Sequence, residues 1–248
     1  QPNGLFLNNA AGMIEAAVPP PTDSELVDQV TAGLNQMARD GYVTVHEAGL
    51  DARQMRVLEQ LEAEARLPIR VYAMLSLRDE DVVREWIARG PDTDNDSMLV
   101  TRTVIAYFDG ALGSRGARLL ADYADQPGHR GVSGEDYGFD VALNAEAMQA
   151  GFQIAIHAIG DKAIDVAIAD MQDIAGVDIS ARRYRIEHFQ HPSNGAIEAA
   201  AEIGIIASMQ PYHAIDDGRG AEKRIGAERI KTTYAFRSIL DAGGILSF

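Results

Sequence analysis

The 248 residues predict a parallel α/β protein, specifically a (β/α)8 TIM-type barrel that lacks its first strand. Three observations predict it. Seven short apolar runs of strand length alternate with segments of helical periodicity, the pattern that builds a parallel sheet. No linker and no shift in composition divides the chain, so 1–248 reads as one domain. Two of the runs end in a histidine just before a loop, where parallel α/β folds hold their ligands. Seven strands with both ends looking cut give a barrel short of one strand. A doubly wound open sheet is the second reading.

The elements follow in order. Thr22 and Glu25 form a capping-box pattern ahead of a helix with Leu26, Val27, Val30, Leu34 and Met37 on one face, stopped by Gly41. Strand 42–48 (YVTVHEA) follows, then a helix from about Asp51 with Met55, Leu58, Leu61 and Ala65 on one stripe, ended by Pro68. Strand 69–75, a short helix with Val82, Val83, Trp86 and Ile87, and strand 99–108 come next. A polar, Gly-rich stretch from Asp109 to about Asp140 is longer than most strand-to-helix connections, which marks it as a candidate active-site loop. The alternation resumes with helix 143–150, strand 152–157, helix 161–174, strand 184–189, helix 192–202, strand 205–210, helix 226–241 and strand 244–248.

Composition excludes several function classes. The chain has 22 Lys and Arg against 37 Asp and Glu, a formal charge of −15. A nucleic-acid-binding face needs clustered cations, which this chain does not have. It has no Cys, hence no disulfide and no thiolate zinc site. No run approaches the roughly 20 apolar residues of a membrane-spanning helix, and no signal peptide is visible. The expected partners are therefore a small-molecule substrate, with neither nucleic acid nor membrane, and a homo-oligomer is compatible with the sequence. The expected location is the cytoplasm. Gln1 opens without an initiator Met and Phe248 closes an apolar run, so the chain reads as an interior piece of a longer protein.

The residues that could carry chemistry sit at strand ends. In FQIAIH, period-two alternation puts Phe152, Ile154 and Ile156 on one face and Gln153, Ala155 and His157 on the other. His157 is thus expected to point into the barrel at its top. By the same count His188 shares a face with Tyr184 and Ile186, while Arg185 and Glu187 form a buried ion pair on the other. Imidazole is the commonest ligand of zinc-type ions, and two on successive strands look like half of a metal site. The plainer reading makes each a hydrogen-bonded structural residue. No HxH or HExxH pair supplies the other half, and no nucleophile elbow or phosphate loop supports a metal-free enzyme. His213, with Gln210 and Asp217 nearby, is a candidate for substrate contact, as is Gln210 itself. Arg115, the fixed cation of DGALGSRGA, suits carboxylate recognition; the alternative is a solvated turn residue. His46 reads as a rim residue and His191 as a surface residue, and His129 is assigned no role.

Five stretches taken together, YFDGALGSRGARL, IHAIGDKAI, RIEHFQH, SMQPYHAIDD and RIGAERIKTTYAFRSILDAGG, resemble the metal-dependent amidohydrolase superfamily, in particular amidohydrolase family 3, the YtcJ-like branch. The resemblance implies a distorted barrel with metal at the strand C-terminal ends and a small β-sandwich built from both chain ends, here absent. It implies a divalent metal, zinc first, that activates water to hydrolyse an amide or related C–N bond outside peptide chains. By motif, His157 and His188 match the metal-binding histidines of the fifth and sixth barrel strands. The HxH of strand one would precede Gln1, and the catalytic Asp of strand eight would follow Phe248. Where relatives carry a carboxylated lysine, this chain has Ile105, expected on one face with Thr103 and Tyr107 and directed towards the two histidines. That departure puts a two-metal site in doubt and supports a rival reading, a non-catalytic barrel that binds a small molecule or partner. The piece by itself is expected to be inactive.

Overall fold

The computed structural model describes residues 4–173, 176–218 and 220–248. The chain divides into two compact units, one of Asn9–Ile105 with Ala142–Phe152, the other chiefly Ala106–Val141 and Gln153–Phe248.

The first unit opens with a short helix, α1 (Gly12–Glu15), followed by α2 (Asp23–Arg39). The expected capping box is formed: the Glu25 amide donates to Thr22 Oγ1 at 3.3 Å and the Thr22 amide donates to the Glu25 carboxylate at 2.7 Å. Strand β1 (Thr44–Leu50) leads into α3 (Ala52–Ala63), whose start is fixed by a second capping box between Asp51 and Gln54. Met55, Leu58 and Leu61 are buried as their stripe predicts. Ala65 falls off that stripe, because the helix has ended and Ala65 turns left-handed at φ 52°. Strand β2 (Arg70–Ser76), helix α4 (Glu80–Arg89), strand β3 (Leu99–Tyr107) and helix α5 (Val141–Gln149) complete the elements. The strands are parallel neighbours, with Thr44 beside Arg70 and Val71 beside Leu99. Ile105 pairs with Ser76 and is buried at 2% exposure.

The second unit receives the end of β3 and adds β4 (Gln153–Ala158), β5 (Arg185–His188), β6 (Ile206–Ser208) and β7 (Ile245–Ser247). The Phe108 amide, just past β3, donates to the His157 carbonyl at 2.9 Å. From β4 to β7 every pairing is parallel and follows chain order. A doubly wound sheet reverses its strand order once; within neither unit does the order reverse, which removes that second reading for each. The connecting helices are α6 (Asp161–Gln172), α7 (Ile179–Arg182), α8 (Asn194–Ile203), α9 (Pro211–Asp217), α10 (Ala221–Arg229) and α11 (Phe236–Asp241). Ile154, Ile156, Tyr184, Ile186 and Ile205 are all at 1% exposure or less, with Ala163, Ile164 and Ala167 of α6 equally buried.

The structure corrects two expectations for this unit. The single helix expected over 226–241 is broken into α10, a 3-10 turn at Ile230–Thr232 and α11, because Gly226 (φ 82°) and Tyr234 (φ 51°) leave the helical region. The segment after Gln210, expected as loop, forms α9, with Pro211 at its first position, where a missing amide costs nothing. Ile174, the last residue of the expected helix 161–174, and the opening residues 1–3 lie outside the described residues. Among the described residues no helix is long and apolar enough to cross a membrane.

Gly160, with Gly131, marks one of the two tightest backbone approaches in the unit. A Cβ there would run into the Arg118 carbonyl, which is itself held by the Lys162 and Ala163 amides at 3.1 and 3.3 Å. Overpacking of this kind costs about 1–3 kcal/mol, so Gly160→Ala should lower the unfolding free energy by that amount, read as a lower urea midpoint with little change in slope. An unchanged midpoint would show that the Arg118 carbonyl can move aside.

Candidate active site

The site grows from the ends of β4 and β5. In register, His157 lies beside Glu187, and Glu187 beside Ser208, so the three share one face of the sheet. The isoleucines between them take the other face, as period two requires. Arg185 joins this face and makes the expected buried ion pair with Glu187, while its guanidinium also donates to Ser208 Oγ at 2.6 Å.

His188 departs from the alternation. Strand parity assigns it to the face of Tyr184 and Ile186, yet its ring centroid lies 4.6 Å from that of His157, edge to face. The cause is the backbone. His188 and Phe189 have φ of 73° and 42°, and this left-handed pair ends the strand by turning the imidazole towards His157. Non-glycine residues in this region carry strain of about 1–3 kcal/mol each. The Arg115 and Tyr234 backbones (φ 58° and 51°) lie in the same unit's loops.

Two side chains orient the rings. Gln210 Oε1 accepts from His188 Nδ1 at 2.6 Å, and the Gln210 amide is itself fixed by donating to the Ser208 carbonyl at 3.3 Å. An imidazole that donates from Nδ1 is neutral with its lone pair on Nε2, the form that binds metals. Burial pushes the His188 pKa down to about 4, helped by the neighbouring His157. His157 Nδ1 lies 3.4 Å from Asp109 Oδ1, within ion-pair reach, but it is buried without a hydrogen-bond partner.

Asp109 is the residue that sequence reasoning passed over. Its carboxylate is buried, and it accepts from the Arg118 amide at 2.9 Å, the Ile159 amide at 3.0 Å and the Gly160 amide at 2.8 Å. It thus ties the start of the long loop to its return at Arg118 and to the loop after His157. The available signal was an acid directly after an apolar strand, a position where burial demands a specific partner.

A cavity of about 290 Å³ opens beside the imidazoles, lined by His157, His188, His213, Gln190, Asp216 and Asp217 with apolar walls from Leu112 and Ile159. The His213 ring stacks at 5.9 Å from that of His188. Arg115 and Gln210 are not among the lining residues. Gln210 holds His188, and the Arg115 guanidinium is bound by Asp125 at 2.9 and 3.1 Å. Asp125 also pairs with Arg224 of α10. His191, expected at the surface, is 3% exposed: its amide bonds the Ile159 carbonyl and its ring sits between Thr233 Oγ1 and Gln190 Nε2. The chain turns inward after the left-handed pair, and that buries it. His129 bonds the Arg115 carbonyl at 2.8 Å, and in the first unit His46 stacks on Tyr72 at 4.6 Å.

These residues fit a metal in part. Two convergent imidazoles, one held neutral with a free Nε2, supply two ligands. A catalytic zinc site takes three protein ligands, and among the described residues no group of three or more His, Cys, Asp or Glu is placed to hold an ion.

Two measurements check this geometry. Asp109→Ala strands two buried amides and one half-buried amide, each worth about 1–3 kcal/mol, so the unfolding free energy should fall by at least about 3 kcal/mol. A smaller loss would demote the carboxylate from its structural role. The histidines give a pH signature. The His191 pKa is pushed down to about 3, chiefly by burial. Histidine in the unfolded chain titrates near 6.5. Between that value and the folded pKa values the unfolded chain binds protons that the folded chain does not, so stability falls as the pH drops through this window. NMR of the metal-free protein should show both rings unprotonated at pH 5.5. Ordinary titration near 6.5 would contradict their burial.

Comparison with known proteins gives the chain a family. The model of the amidohydrolase family matches residues 1–248. The protein LONG AFTER FAR-RED 3 of Arabidopsis thaliana is 34% identical over 175 residues, 70% of this chain and 28% of that protein. YtcJ of Bacillus subtilis (strain 168) is 27% identical over 252 residues, 98% of this chain and 46% of that protein. Among solved structures, an uncharacterized metal-dependent hydrolase from Pyrococcus horikoshii OT3 matches with a TM-score of 0.78 and 26% identity, covering 92% of this chain and 45% of the other. The chain therefore spans less than half the length of each of these relatives. With its whole length matched, it belongs to the amidohydrolase family.

Proposed function

We propose that the protein carrying this chain is a metal-dependent hydrolase that cleaves an amide or related C–N bond of a small molecule, not of a peptide chain, using activated water. The observation that carries the reading is the His157–His188 pair, with His188 held neutral and its Nε2 free at the edge of a cavity. These two residues would hold a divalent cation, with zinc the best match to imidazole ligands. Such an ion lowers the pKa of water and polarises a carbonyl.

The chain's own residues supply the rest of the frame. Asp109 fixes the loop behind His157, and Gln210 sets the tautomer of His188. His213 offers its ring to the substrate. Arg115 is assigned to clamping the long loop through Asp125 rather than to the substrate itself. The remaining ligands, from a first barrel strand, and a carboxylate that takes the proton are assigned to parts of the protein outside these residues. The 248 residues by themselves are accordingly not a competent hydrolase. The cytoplasm is the proposed location.

Ile105 supports a second reading, a barrel that binds a small molecule without hydrolysing it, because an isoleucine offers no ligand where relatives have a lysine. The test is metal analysis and hydrolysis of the full-length protein with Ile105 and with Ile105→Lys. The proposal expects weak single-metal binding with Ile105 and a gain of at least about tenfold in metal affinity with lysine, the lower range for restoring even an outer partner. Stoichiometric two-metal binding with Ile105 in place would refute the assigned role of this position. No metal in either form, at micromolar zinc, would favour the binding protein.

A further inference from the structure

We infer that the return of the long loop and the start of α6 form a second binding site, one that takes a small molecule carrying a phosphate group. It is independent of the proposed hydrolase site and shares no lining residue with the cavity beside the imidazoles.

A cavity of about 580 Å³ is lined by Arg118, Arg130 and Lys162, with Asp136 the one acidic residue among the described residues of its wall. In a chain where acids outnumber bases 37 to 22, this wall inverts the balance. Arg118 and Lys162 are half-buried, and neither side chain has a hydrogen bond or an ion pair among the described residues. Other cations of the unit behave differently. Arg115, Arg185 and Arg224 end on carboxylates, and Arg229 on backbone carbonyls.

The main chain holds the two unpaired cations together. The Arg118 carbonyl accepts from the Lys162 amide at 3.1 Å, and the Arg118 amide is held by buried Asp109 at 2.9 Å. Two like-charged residues are thus fixed on touching backbones, and an anion between them relieves their repulsion. Arg130 adds a third cation. Its Nε is bound by Asp122 at 2.7 Å, and its terminal nitrogens carry no bond among the described residues. The nearby carboxylates are committed elsewhere. Asp136 Oδ2 accepts from the Ser133 amide at 2.8 Å and from its hydroxyl at 3.2 Å. Asp161 Oδ1 accepts from the Leu120 and Lys162 amides at 2.8 and 2.9 Å, and Asp161 lines a different cavity. Asp165, one turn along α6, feels the charge of Lys162 without pairing to it.

Three cations against one carboxylate leave this wall two charges positive. A phosphate monoester at neutral pH carries about −1.5 to −2 and matches it, where a carboxylate brings a single charge. Arginine offers a fork and lysine a point charge, both suited to phosphate oxygens. Leu119 and the half-exposed Leu120 give apolar wall for an organic body. The formal charge of −15 repels anions at long range, so tight binding has to come from this wall.

The experiment titrates the full-length protein with phenyl phosphate, benzoate and phenol by calorimetry, at neutral pH and constant ionic strength. Phenyl phosphate should bind at least about tenfold more tightly than benzoate, and phenol least. Lys162→Gln and Arg118→Gln should each weaken phenyl phosphate at least about tenfold, the loss of one charge-assisted bond. Hydrogen exchange of the wild-type protein gives a reading that needs no variant: phenyl phosphate should slow exchange over residues 118–136 and leave 188–190 unchanged. Binding of phenyl phosphate no tighter than benzoate, or no protection over 118–136, would overturn the inference. Binding undiminished in either folded variant would put the phosphate elsewhere, at a metal held by the histidines for instance, and would overturn it too.

Discussion

The buried carboxylate of Asp109 is the constraint on which this half of the molecule depends. Three amides from two loops converge on it, from Arg118, Ile159 and Gly160. Each would be an orphan donor in a dry interior without it, and a charged acceptor makes the strongest bonds available to them. The Arg118 carbonyl then caps the start of α6, and Gly160 is required because the two backbones meet there. The loop of some thirty residues after β3 is therefore not a free excursion. It is pinned at its first residue, again at Asp125 through Arg115 and Arg224, and at Ala121 and Asp122 through Arg229.

The imidazole pair shows how burial sets the form of a side chain before anything binds it. A histidine in water near neutral pH is divided between charged and neutral forms. Withdrawing His188 from water, and placing His157 against it, disfavours the charged form. Gln210 selects between the two neutral tautomers. The buried Arg185–Glu187 pair beneath them is self-compensating, and Ser208 takes a remaining guanidinium donor. The floor of the site thus holds two full charges without leaving an unpaired one, as a low-dielectric interior demands.

Much of this was legible in the sequence, and the reasons differ by element. The capping boxes at Thr22 and Asp51 were readable or nearly so because their partners lie three residues apart. The strands were readable because period-two alternation with apolar runs has few rivals at that length. His157 and His188 were readable as candidates from their place at strand ends, and the structure brings their rings together. Asp109 was not singled out, since its partners lie 9, 50 and 51 residues away and are backbone amides with no side-chain signature. The break of 226–241 was obscured because its apolar spacing continues through Gly226 and Tyr234, whose left-handed torsions come from tertiary fit. His191 looked exposed for a similar reason: loops are usually at the surface, and only the inward turn after Phe189 buries it.

The torsion at His188 has a consequence for how such a site can be copied or moved. On an ideal strand, neighbouring residues cannot serve the same face, and His188 by its position belonged with Ile186. A single left-handed step transfers it across the sheet. The instruction that aims this imidazole is therefore carried by the peptide geometry of residues 188 and 189 and by the Gln210 amide that receives the ring. Grafting the tripeptide Ile186–Glu187–His188 onto another barrel strand would transplant the letters without the aim. The portable unit is larger: a strand end, the reversed turn after it, and a glutamine from the next strand's exit.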